Sequence, residues 1–375
     1  MPTDEIPIYS PLLDDKETEY VLQAMKSGWI SSRGEFVSQF EERFAQRIGL
    51  PYGTTCTNGT VALHLALMAV GVDAGDEVIV PNFSYVALAN SVRHAGAVPV
   101  LCDVNLDTWQ ADIKSIISLM SSRTKAIILV HTYGGVAQVE ELISVAKKAG
   151  VFIIEDCAEA IGSINQGSHV GRLGDIATFS FFGNKTITTG EGGFIGSNDE
   201  SIIKLVRRLK NQGVAEGERY FHDLLAYNYR MTNVACAIGC AQLEKLDYIL
   251  SRKREIWDRY LLGLKDTPLI PQKSADHTSS SNWLCCFRMP EELNAGELMR
   301  FLLNKGIDSR PGFCSLSSMP MYSQSVSHGQ ISAILERTVI CLPSFPGLLA
   351  EQQARIIEEI KLFFGEQYAI LYNGE

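Results

Sequence analysis

The sequence predicts an α/β protein whose larger part is a doubly wound β-sheet covered by helices. Short runs in which nearly every position is apolar recur along the chain, as expected of strands that are covered on both faces. Patterns of helical period separate these runs, and such alternation is typical of a doubly wound sheet. The predicted strands are residues 78–80, 98–102, 126–130, 151–154 and 177–182.

Two helices are predicted between the strands, at residues 61–70 and 139–149. Each pattern stops at a glycine, Gly71 and Gly150, which is a common helix C-terminal signal. Three strands end at a polar residue, and these residues are Asp103, His131 and Asp156. Since doubly wound sheets bind ligands at the carboxyl ends of their strands, we expect the functional site at this edge.

A change of pattern near residue 235 predicts a second, smaller domain. Residues 237–254 read as one long helix, and a polar stretch and a mixed α/β segment follow. We therefore expect an N-terminal arm and a large domain over residues 1–250 and a small C-terminal α/β domain over residues 251–375. Residues 1–30 are expected to form an arm and a first helix that lie over the large domain.

Composition favours a cytoplasmic enzyme. The chain has 375 residues, 46% of them hydrophobic, and a net charge of −10, which argues against a nucleic-acid partner. No apolar run approaches the roughly 20 residues of a membrane span, and the first residues lack an apolar signal region. The nine cysteines are scattered and lack the spacing of a zinc site, so we expect free thiols and no metal.

Lys185 is the strongest candidate for a catalytic residue. It follows the aromatic run of residues 177–182 and precedes a glycine-rich turn, and no other charged residue stands nearby before Glu191. A lysine in such surroundings is a candidate for a desolvated amine with a lowered pKa, the state in which lysine forms Schiff bases. Asp156 stands at a strand end 29 positions upstream, and this pair of residues is what pyridoxal 5'-phosphate requires.

Further residues fit a pyridoxal phosphate site, although each has an ordinary structural alternative. Gly59 and Thr60 open a predicted helix, where a phosphate binds readily, and Ser180 precedes Lys185 on a strand. Their alternative roles are those of helix-cap and strand residues. Three more candidates are Tyr85 for stacking on the ring, Glu159 for a ligand contact and Asn228, which is otherwise a turn residue.

Together these residues resemble the fold-type I, pyridoxal-phosphate-dependent sugar-nucleotide aminotransferases of the DegT/DnrJ/EryC1/StrS family. The resemblance spans residues 8–347 and includes Gly-Asn-Lys-Thr-Ile-Thr-Thr-Gly-Glu-Gly-Gly at residues 183–193. Its other motifs lie at residues 27–34, 57–63, 75–81, 155–160, 211–213 and 227–232.

This resemblance implies an aspartate-aminotransferase-like fold with a mixed, mostly parallel sheet. It implies that Lys185 forms the Schiff base and that Asp156 pairs with the ring nitrogen. Gly59, Thr60 and Ser180 would hold the phosphate, and Tyr85 would stack on the ring. Asn228 would reach the phosphate from a second subunit, which implies a homodimer with shared active sites.

The wording of two motifs is most similar to the family members that aminate GDP-4-keto-6-deoxy-D-mannose with L-glutamate as amino donor. Such enzymes usually carry two aromatics and a Tyr-Pro pair after Arg310, whereas this chain has Pro-Gly-Phe-Cys-Ser-Leu-Ser-Ser at residues 311–318. A UDP- or dTDP-linked 4-ketosugar is therefore an alternative substrate. The fold also suits a non-catalytic protein that binds pyridoxal phosphate, and it suits a dehydratase, although dehydratase relatives carry histidine where Lys185 stands.

Overall fold

The computed structural model describes residues 5–325 and 329–372 of the chain. Its strands are β1 (Tyr52–Cys56), β2 (Glu77–Pro81), β3 (Val98–Cys102), β4 (Thr124–Val130), β5 (Phe152–Asp156), β6 (Ile164–Asn165), β7 (Ser168–His169), β8 (Ile176–Ser180), β9 (Gly193–Ser197), β10 (Ile270–Pro271), β11 (Thr278–Ser279), β12 (Cys285–Arg288), β13 (Arg310–Pro311) and β14 (Val339–Leu342). Its α-helices are α1 (Asp15–Ser27), α2 (Glu35–Ile48), α3 (Gly59–Ala69), α4 (Ala87–His94), α5 (Ile113–Leu119), α6 (Glu140–Ala149), α7 (Glu200–Leu209), α8 (Asn233–Glu244), α9 (Leu246–Leu264), α10 (Ala295–Asn304), α11 (Gln330–Thr338) and α12 (Ala350–Tyr372).

The central sheet has seven strands in the order β1-β9-β8-β5-β4-β2-β3. Strands β3, β2, β4, β5 and β8 pair in parallel, whereas β9 runs antiparallel to both β8 and β1. The predicted mixed, mostly parallel sheet is thus confirmed. The last predicted strand is shorter than expected, because β8 ends at Ser180 and the chain turns away before Phe182.

Both faces of this sheet are buried, which explains the uninterrupted apolar runs. On β2, Val78 and Val80 belong to the core formed with helices α3, α4 and α7. Ile79, which points the opposite way, belongs to the core formed with α5 and α6. A third core packs α2 and α8 against Ala177 and other residues of the sheet. Successive strand residues therefore enter opposite hydrophobic layers.

The predicted single helix over residues 237–254 is wrong. The structure has two helices there, α8 and α9, which meet at Lys245 with φ −104° and ψ 7°. These angles depart from the α-helical region, so the axis is broken at this residue. The two helices have different neighbours, since α8 packs against α1 and α2 while α9 packs against α12. The hydrophobic periodicity continues through the break, which is why the sequence pattern does not reveal it.

A second, antiparallel sheet lies in the C-terminal part, in the order β10-β12-β14-β13. Its core includes Phe287 and Ile340 from the sheet, Ile256 from α9 and Ile360 from α12. The remaining short strands form a three-stranded sheet in the order β11-β6-β7. The division into residues 1–250 and 251–375 stays a prediction, and that boundary falls inside α9.

None of the helices within residues 5–325 and 329–372 combines the length and the apolar character that a bilayer span requires.

Candidate active site

A cavity of about 420 Å³ lies at the carboxyl ends of the central strands. Asp156 is the last residue of β5 and Ser180 the last residue of β8, so this is the edge where the sequence placed the site. The volume falls in the usual range for small-molecule sites, which is roughly 300–1,000 Å³. Seven predicted site residues line the cavity, namely Gly59, Thr60, Tyr85, Asp156, Glu159, Ser180 and Lys185.

One wall of the cavity combines a helix N-terminus with two hydroxyl groups. Gly59 and Thr60 form the first turn of α3, whose unpaired N–H groups favour a bound anion. Asn58 caps the helix, since its Oδ1 accepts a hydrogen bond from the Val61 N–H at 2.9 Å. A Cβ added at Gly59 would lie 2.8 Å from the Ser180 Cβ. Glycine is therefore required if Ser180 is to pack this close to the helix terminus.

Asp156 contributes a carboxyl group that is buried at the strand end. Its Oδ1 accepts hydrogen bonds from the Ala158 N–H at 3.0 Å and from the Thr178 hydroxyl at 3.5 Å. Burial raises the pKa of Asp156, while the Ala158 hydrogen bond and the charge of Lys185 oppose that rise. Both hydrogen bonds involve Oδ1, so Oδ2 is the oxygen that remains for a ligand in the cavity.

Lys185 lies in the turn that follows β8, and contacts from distant parts of the chain fix it there. The Tyr9 hydroxyl donates to the Lys185 carbonyl oxygen at 2.6 Å, and the Trp283 indole N–H donates to the Asn184 carbonyl oxygen at 2.7 Å. The Lys185 Nζ lies 3.9 Å from the centre of the Trp283 ring. Burial lowers the pKa of Lys185, and the carboxylates of Glu159 and Asp156 oppose this effect.

Glu159 is a buried carboxyl group beside the lysine amine. Its Oε1 lies 3.7 Å from the Lys185 Nζ, and its Oε2 accepts a hydrogen bond from the Tyr133 N–H at 2.8 Å. Burial raises the pKa of Glu159 to about 7. Tyr133 makes this hydrogen bond from a left-handed backbone conformation, with φ 56°, which is unfavourable for a bulky side chain. Strained residues of this kind concentrate at functional sites.

Aromatic side chains form another wall of the cavity. Tyr133 stacks on Phe313 with ring centres 4.8 Å apart, and its other near-parallel neighbour is Trp283 at 6.1 Å. Tyr85 lies 6.1 Å from Phe313 and is 58% exposed, so its ring is available to a ligand. Tyr133 and Trp283 were not predicted from the sequence, because neither stands in a pattern that distinguishes a site residue from a core aromatic. Phe313 falls in the divergent segment 311–318, which the sequence analysis had singled out.

The residues around the cavity fit pyridoxal phosphate. The Ser84 hydroxyl lines the cavity and is buried, and it has no hydrogen-bond partner within residues 5–325 and 329–372. Buried polar atoms in native proteins are nearly always paired, so this hydroxyl is suited to a polar ligand. The anion-binding wall, the amine of Lys185 and the carboxyl of Asp156 supply the other groups that the cofactor needs.

Asn228 does not line the cavity of its own chain. The side chain is exposed, and its Oδ1 accepts a hydrogen bond from the Arg230 Nε at 2.9 Å. Its backbone pairs with that of Asn211 in an isolated antiparallel bridge. A contact between Asn228 and the cofactor of a second subunit stays a prediction.

The other strand-end residues support the fold instead of the site. The Asp103 carboxylate accepts hydrogen bonds from the Ile331 N–H at 3.0 Å and the Ser332 N–H at 2.9 Å, and so it holds the start of α11. His131 lies 3.0 Å from Glu155 and is fully buried. Of the three strand-end groups that the sequence placed at this edge, Asp156 is the one that lines the cavity.

Comparison with known proteins agrees with this geometry. The sequence matches the DegT/DnrJ/EryC1/StrS aminotransferase family over residues 11–361. It is 44% identical to the GDP-perosamine synthase of Escherichia coli O157:H7, with 96% of this chain and 99% of that protein covered. It is also 44% identical to the GDP-perosamine synthase of Vibrio cholerae, with the same coverage.

A solved structure is similar over the whole fold. It is a protein from Streptococcus pneumoniae that is assigned as a sugar aminotransferase, in its PMP form, with a TM-score of 0.92, 27% sequence identity and coverage of 98% of this chain and 99% of that one. The family match covers most of the chain, and the cavity fits the cofactor. The chain therefore belongs to the DegT/DnrJ/EryC1/StrS aminotransferase family and is a pyridoxal-phosphate-dependent sugar aminotransferase.

Proposed function

We propose that this enzyme transfers an amino group from L-glutamate to the 4-keto carbon of GDP-4-keto-6-deoxy-D-mannose and so forms GDP-perosamine. The relatives named GDP-perosamine synthase support this substrate, since two of them are 44% identical over nearly the whole chain. The observation that carries the chemistry is the meeting of a buried amine, Lys185, and a buried carboxyl, Asp156, in one cavity with an anion-binding wall.

The cavity residues divide into groups that would hold different parts of the cofactor. We assign phosphate binding to Gly59, Thr60 and Ser180, and stacking on the ring to Tyr85. Asp156 would hold the ring nitrogen in its protonated form. Pyridoxal phosphate, when bound, supplies a carbonyl carbon that accepts the amino group and a ring that withdraws electrons from the adjacent carbon.

Lys185 supplies the amine that binds the cofactor and moves the proton. Because burial lowers its pKa, its Nζ is more readily neutral than an exposed lysine and can both accept and return a proton. Glu159, at 3.7 Å, stabilises the ammonium whenever Nζ is protonated. The Trp283 ring covers the amine and limits the access of water to it.

Both proposed substrates carry negative charge, and Arg310 is placed to meet it. Arg310 lines the cavity at the start of β13 and is exposed. A guanidinium binds carboxylates and phosphates with two parallel hydrogen bonds, so Arg310 would orient an anionic group of the substrate. Pro311 and Phe313 line the same cavity, which brings the divergent segment into position to affect the choice of substrate.

We further propose that the enzyme is a homodimer with shared active sites. Asn228 is exposed and does not line the cavity of its own chain, whereas the resemblance implies that this residue contacts the phosphate. A second subunit that presents Asn228 to this cavity reconciles the two observations. We place the enzyme in the cytoplasm, because all nine cysteines are free and eight are buried.

A substrate panel tests the proposal. Purified protein with pyridoxal phosphate and L-glutamate is offered GDP-, UDP- and dTDP-linked 4-keto-6-deoxysugars, and the release of 2-oxoglutarate is measured. We expect turnover with the GDP-linked sugar to exceed that with the others by at least about tenfold, which corresponds to roughly 1.4 kcal/mol in transition-state binding. Preference for a UDP- or dTDP-linked sugar would assign the enzyme to the alternative substrate class.

Two variants show whether the turnover comes from this cavity. Lys185→Ala should abolish transamination, because it removes the amine that moves the proton. Lys204→Ala, which removes an exposed lysine paired with Glu200, should leave the rate unchanged. Turnover of Lys185→Ala within about tenfold of the wild type would contradict the role assigned to Lys185.

A further inference from the structure

Lys253, in the middle of α9, is an unusual buried charge. It is 0% exposed, and its ammonium donates hydrogen bonds to the carbonyl oxygens of Trp283 at 3.0 Å and Ser344 at 3.2 Å. Both partners are main-chain groups, although a fully buried lysine normally pairs with a carboxylate. Burial lowers the pKa of Lys253 to about 8. Burying an ammonium without a carboxylate partner lowers the stability of the protein. The residues around Lys253 therefore indicate which function could compensate for this cost.

Two of these neighbours lead directly to Lys185. Trp283, whose carbonyl binds Lys253, covers the Lys185 amine with its ring and donates its indole N–H to the Asn184 carbonyl oxygen. Tyr9 lies with its ring centre 5.7 Å from the Lys253 Nζ, and its hydroxyl donates to the Lys185 carbonyl oxygen. Lys253 thus contacts both aromatic residues that hold the backbone of the lysine turn.

We propose that Lys253 is a positioning residue, which fixes Trp283 and Tyr9 around the Lys185 amine. The inference rests on the role proposed above for Lys185. Lys253 itself does not line the cavity, so it acts through these two side chains. One ammonium carries three donors and can bind carbonyls from two chain segments at once. Here it joins the segment before β12 to the segment after β14, and an apolar side chain would leave both carbonyl oxygens unpaired.

A purely structural role makes a different prediction. If Lys253 only pairs two carbonyl groups, its removal lowers the stability of the protein and leaves the ionisation of Lys185 unchanged. If Lys253 positions Trp283, its removal lets water reach the Lys185 amine. Since burial is the main cause of the lowered Lys185 pKa, that pKa then rises towards the ordinary value for lysine.

The experiment measures the Lys185 amine in the cofactor-free protein. Folded protein is reductively methylated with formaldehyde and a borohydride reagent over a range of pH, and methylation of the Lys185 peptide is quantified by mass spectrometry. The readout is the midpoint of the pH profile and not the rate. A change in accessibility alone alters the methylation rate at every pH, whereas a change in the Lys185 pKa moves the midpoint. In Lys253→Met we expect the midpoint to rise by roughly 0.5–1 pH unit, within the usual range of environmental pKa shifts.

Lys245→Met is the matched control. Lys245 is also largely buried, but it pairs with Asp14 at 2.7 Å and Glu17 at 2.8 Å, and none of these three residues lines the cavity. Its removal should lower stability without moving the Lys185 midpoint. A folded Lys253→Met protein whose midpoint equals that of Lys245→Met and of the wild type would overturn the positioning role.

A second variant covers the case in which Lys253→Met does not fold. Trp283→Phe keeps an aromatic ring and removes the N–H that binds the Asn184 carbonyl oxygen. The Lys185 midpoint should rise in this variant too, and an unchanged midpoint contradicts the proposal. None of these measurements requires substrate or cofactor. Failure of the proposed function is therefore recognised separately, by transamination that persists in Lys185→Ala.

Discussion

At the scale of single residues, burial sets the chemistry of the site. Lys185, Asp156 and Glu159 lie around one cavity, and desolvation is the largest influence on the pKa of each group. Burial disfavours the charged form, so it moves the lysine and the carboxyl groups towards neutrality from opposite sides. Attraction between the lysine and the two carboxylates opposes that shift, and the ionisation of this site is therefore easily changed by substitution.

Asp156→Asn should reduce the rate of transamination more than the affinity for the ketosugar. The amide cannot supply the negative charge that, in the proposed site, would keep the cofactor ring nitrogen protonated. Loss of one such electrostatic group typically costs about 100- to 1,000-fold in kcat, and steady-state kinetics measures it.

Asp103→Asn is the matched control for that variant. Asp103 also follows a strand of the central sheet, but its carboxylate accepts hydrogen bonds from backbone N–H groups at the start of α11. This substitution should lower thermal stability with little effect on kcat. Equal losses of kcat in Asp103→Asn and Asp156→Asn would mean that Asp156 too serves only the fold.

Glu159→Gln should reveal a pH-dependent stability difference in the cofactor-free protein. Burial raises the pKa of Glu159 to about 7. Its stabilising contribution to folding is therefore fully present below the pKa of 4.5 in the unfolded chain, and it is lost as pH rises through 7. The free energy of unfolding of the wild type should therefore fall relative to Glu159→Gln across this window, by at most about 3 kcal/mol. Urea unfolding at several pH values measures the difference.

Glu155→Gln is a comparison in which the pH dependence of stability should have the opposite sign. Glu155 is also buried, but hydrogen bonds from His131 and from backbone N–H groups lower its pKa despite the burial. The stabilisation that it contributes is present above the unfolded pKa and is lost as pH falls. A Glu159→Gln profile parallel to that of Glu155→Gln would show that the pKa of Glu159 is not raised.

At the scale of secondary-structure elements, the site depends on how closely α3 approaches β8. Strand β8 ends at Ser180 and α3 begins at Gly59, and the two residues are in contact because glycine has no side chain. As a result, the N-terminus of α3 and the hydroxyl groups of Thr60 and Ser180 line the same cavity. The turn after β8 places Lys185 on the same cavity.

Gly59→Ala should weaken cofactor binding by separating α3 from β8. The added Cβ would lie 2.8 Å from the Ser180 Cβ, so one element has to move. Overpacking of this kind typically costs about 1–3 kcal/mol, and a similar loss in binding corresponds to roughly a tenfold or greater rise in the Kd for pyridoxal phosphate. Fluorescence titration of the cofactor-free protein measures it.

Gly365→Ala is the control for this substitution. Gly365 lies within α12, where an added Cβ meets no atom of the described part of the chain within 4 Å. This variant should bind pyridoxal phosphate like the wild type and should be slightly more stable, because alanine favours helix over glycine. Unchanged affinity in Gly59→Ala would remove Gly59 from the proposed phosphate site.

At the scale of the whole molecule, we propose that each active site is shared between two chains. Lys185 and the anion-binding wall belong to one cavity, whereas Asn228 is exposed and does not line it. In a symmetric dimer each subunit would present its Asn228 to the cavity of the other.

A mixture of two inactive variants tests this arrangement. Asn228→Ala should weaken cofactor retention, and Lys185→Ala should abolish turnover. In a mixed dimer, one site combines Lys185 from the first variant with Asn228 from the second, so up to about half the wild-type activity per dimer should return. Activity is measured after subunit exchange has been verified by native mass spectrometry. A mixture that only averages the two parents would mean that Asn228 acts within its own chain or only in folding.

The sequence by itself determined the class of fold and most of the cavity. Covered strands require apolar residues on both faces, so the central strands are visible as uninterrupted apolar runs, and β3 has the predicted bounds. The groups at helix starts and strand ends were also predictable, because these positions converge at one edge of a parallel sheet. Gly59, Thr60, Asp156, Ser180 and Lys185 meet there for that reason.

Only the tertiary structure decided which distant residues complete the site. Trp283 and Tyr9 reach the lysine turn over 99 and 176 positions of sequence, and no local pattern encodes contacts of that range. The left-handed backbone of Tyr133 and the break between α8 and α9 are likewise products of packing, since neither residue type nor periodicity marks them. In the sequence, Lys253 is one of several charged residues within the helix predicted over residues 237–254. Only its burial against two carbonyl oxygens distinguishes it from the others.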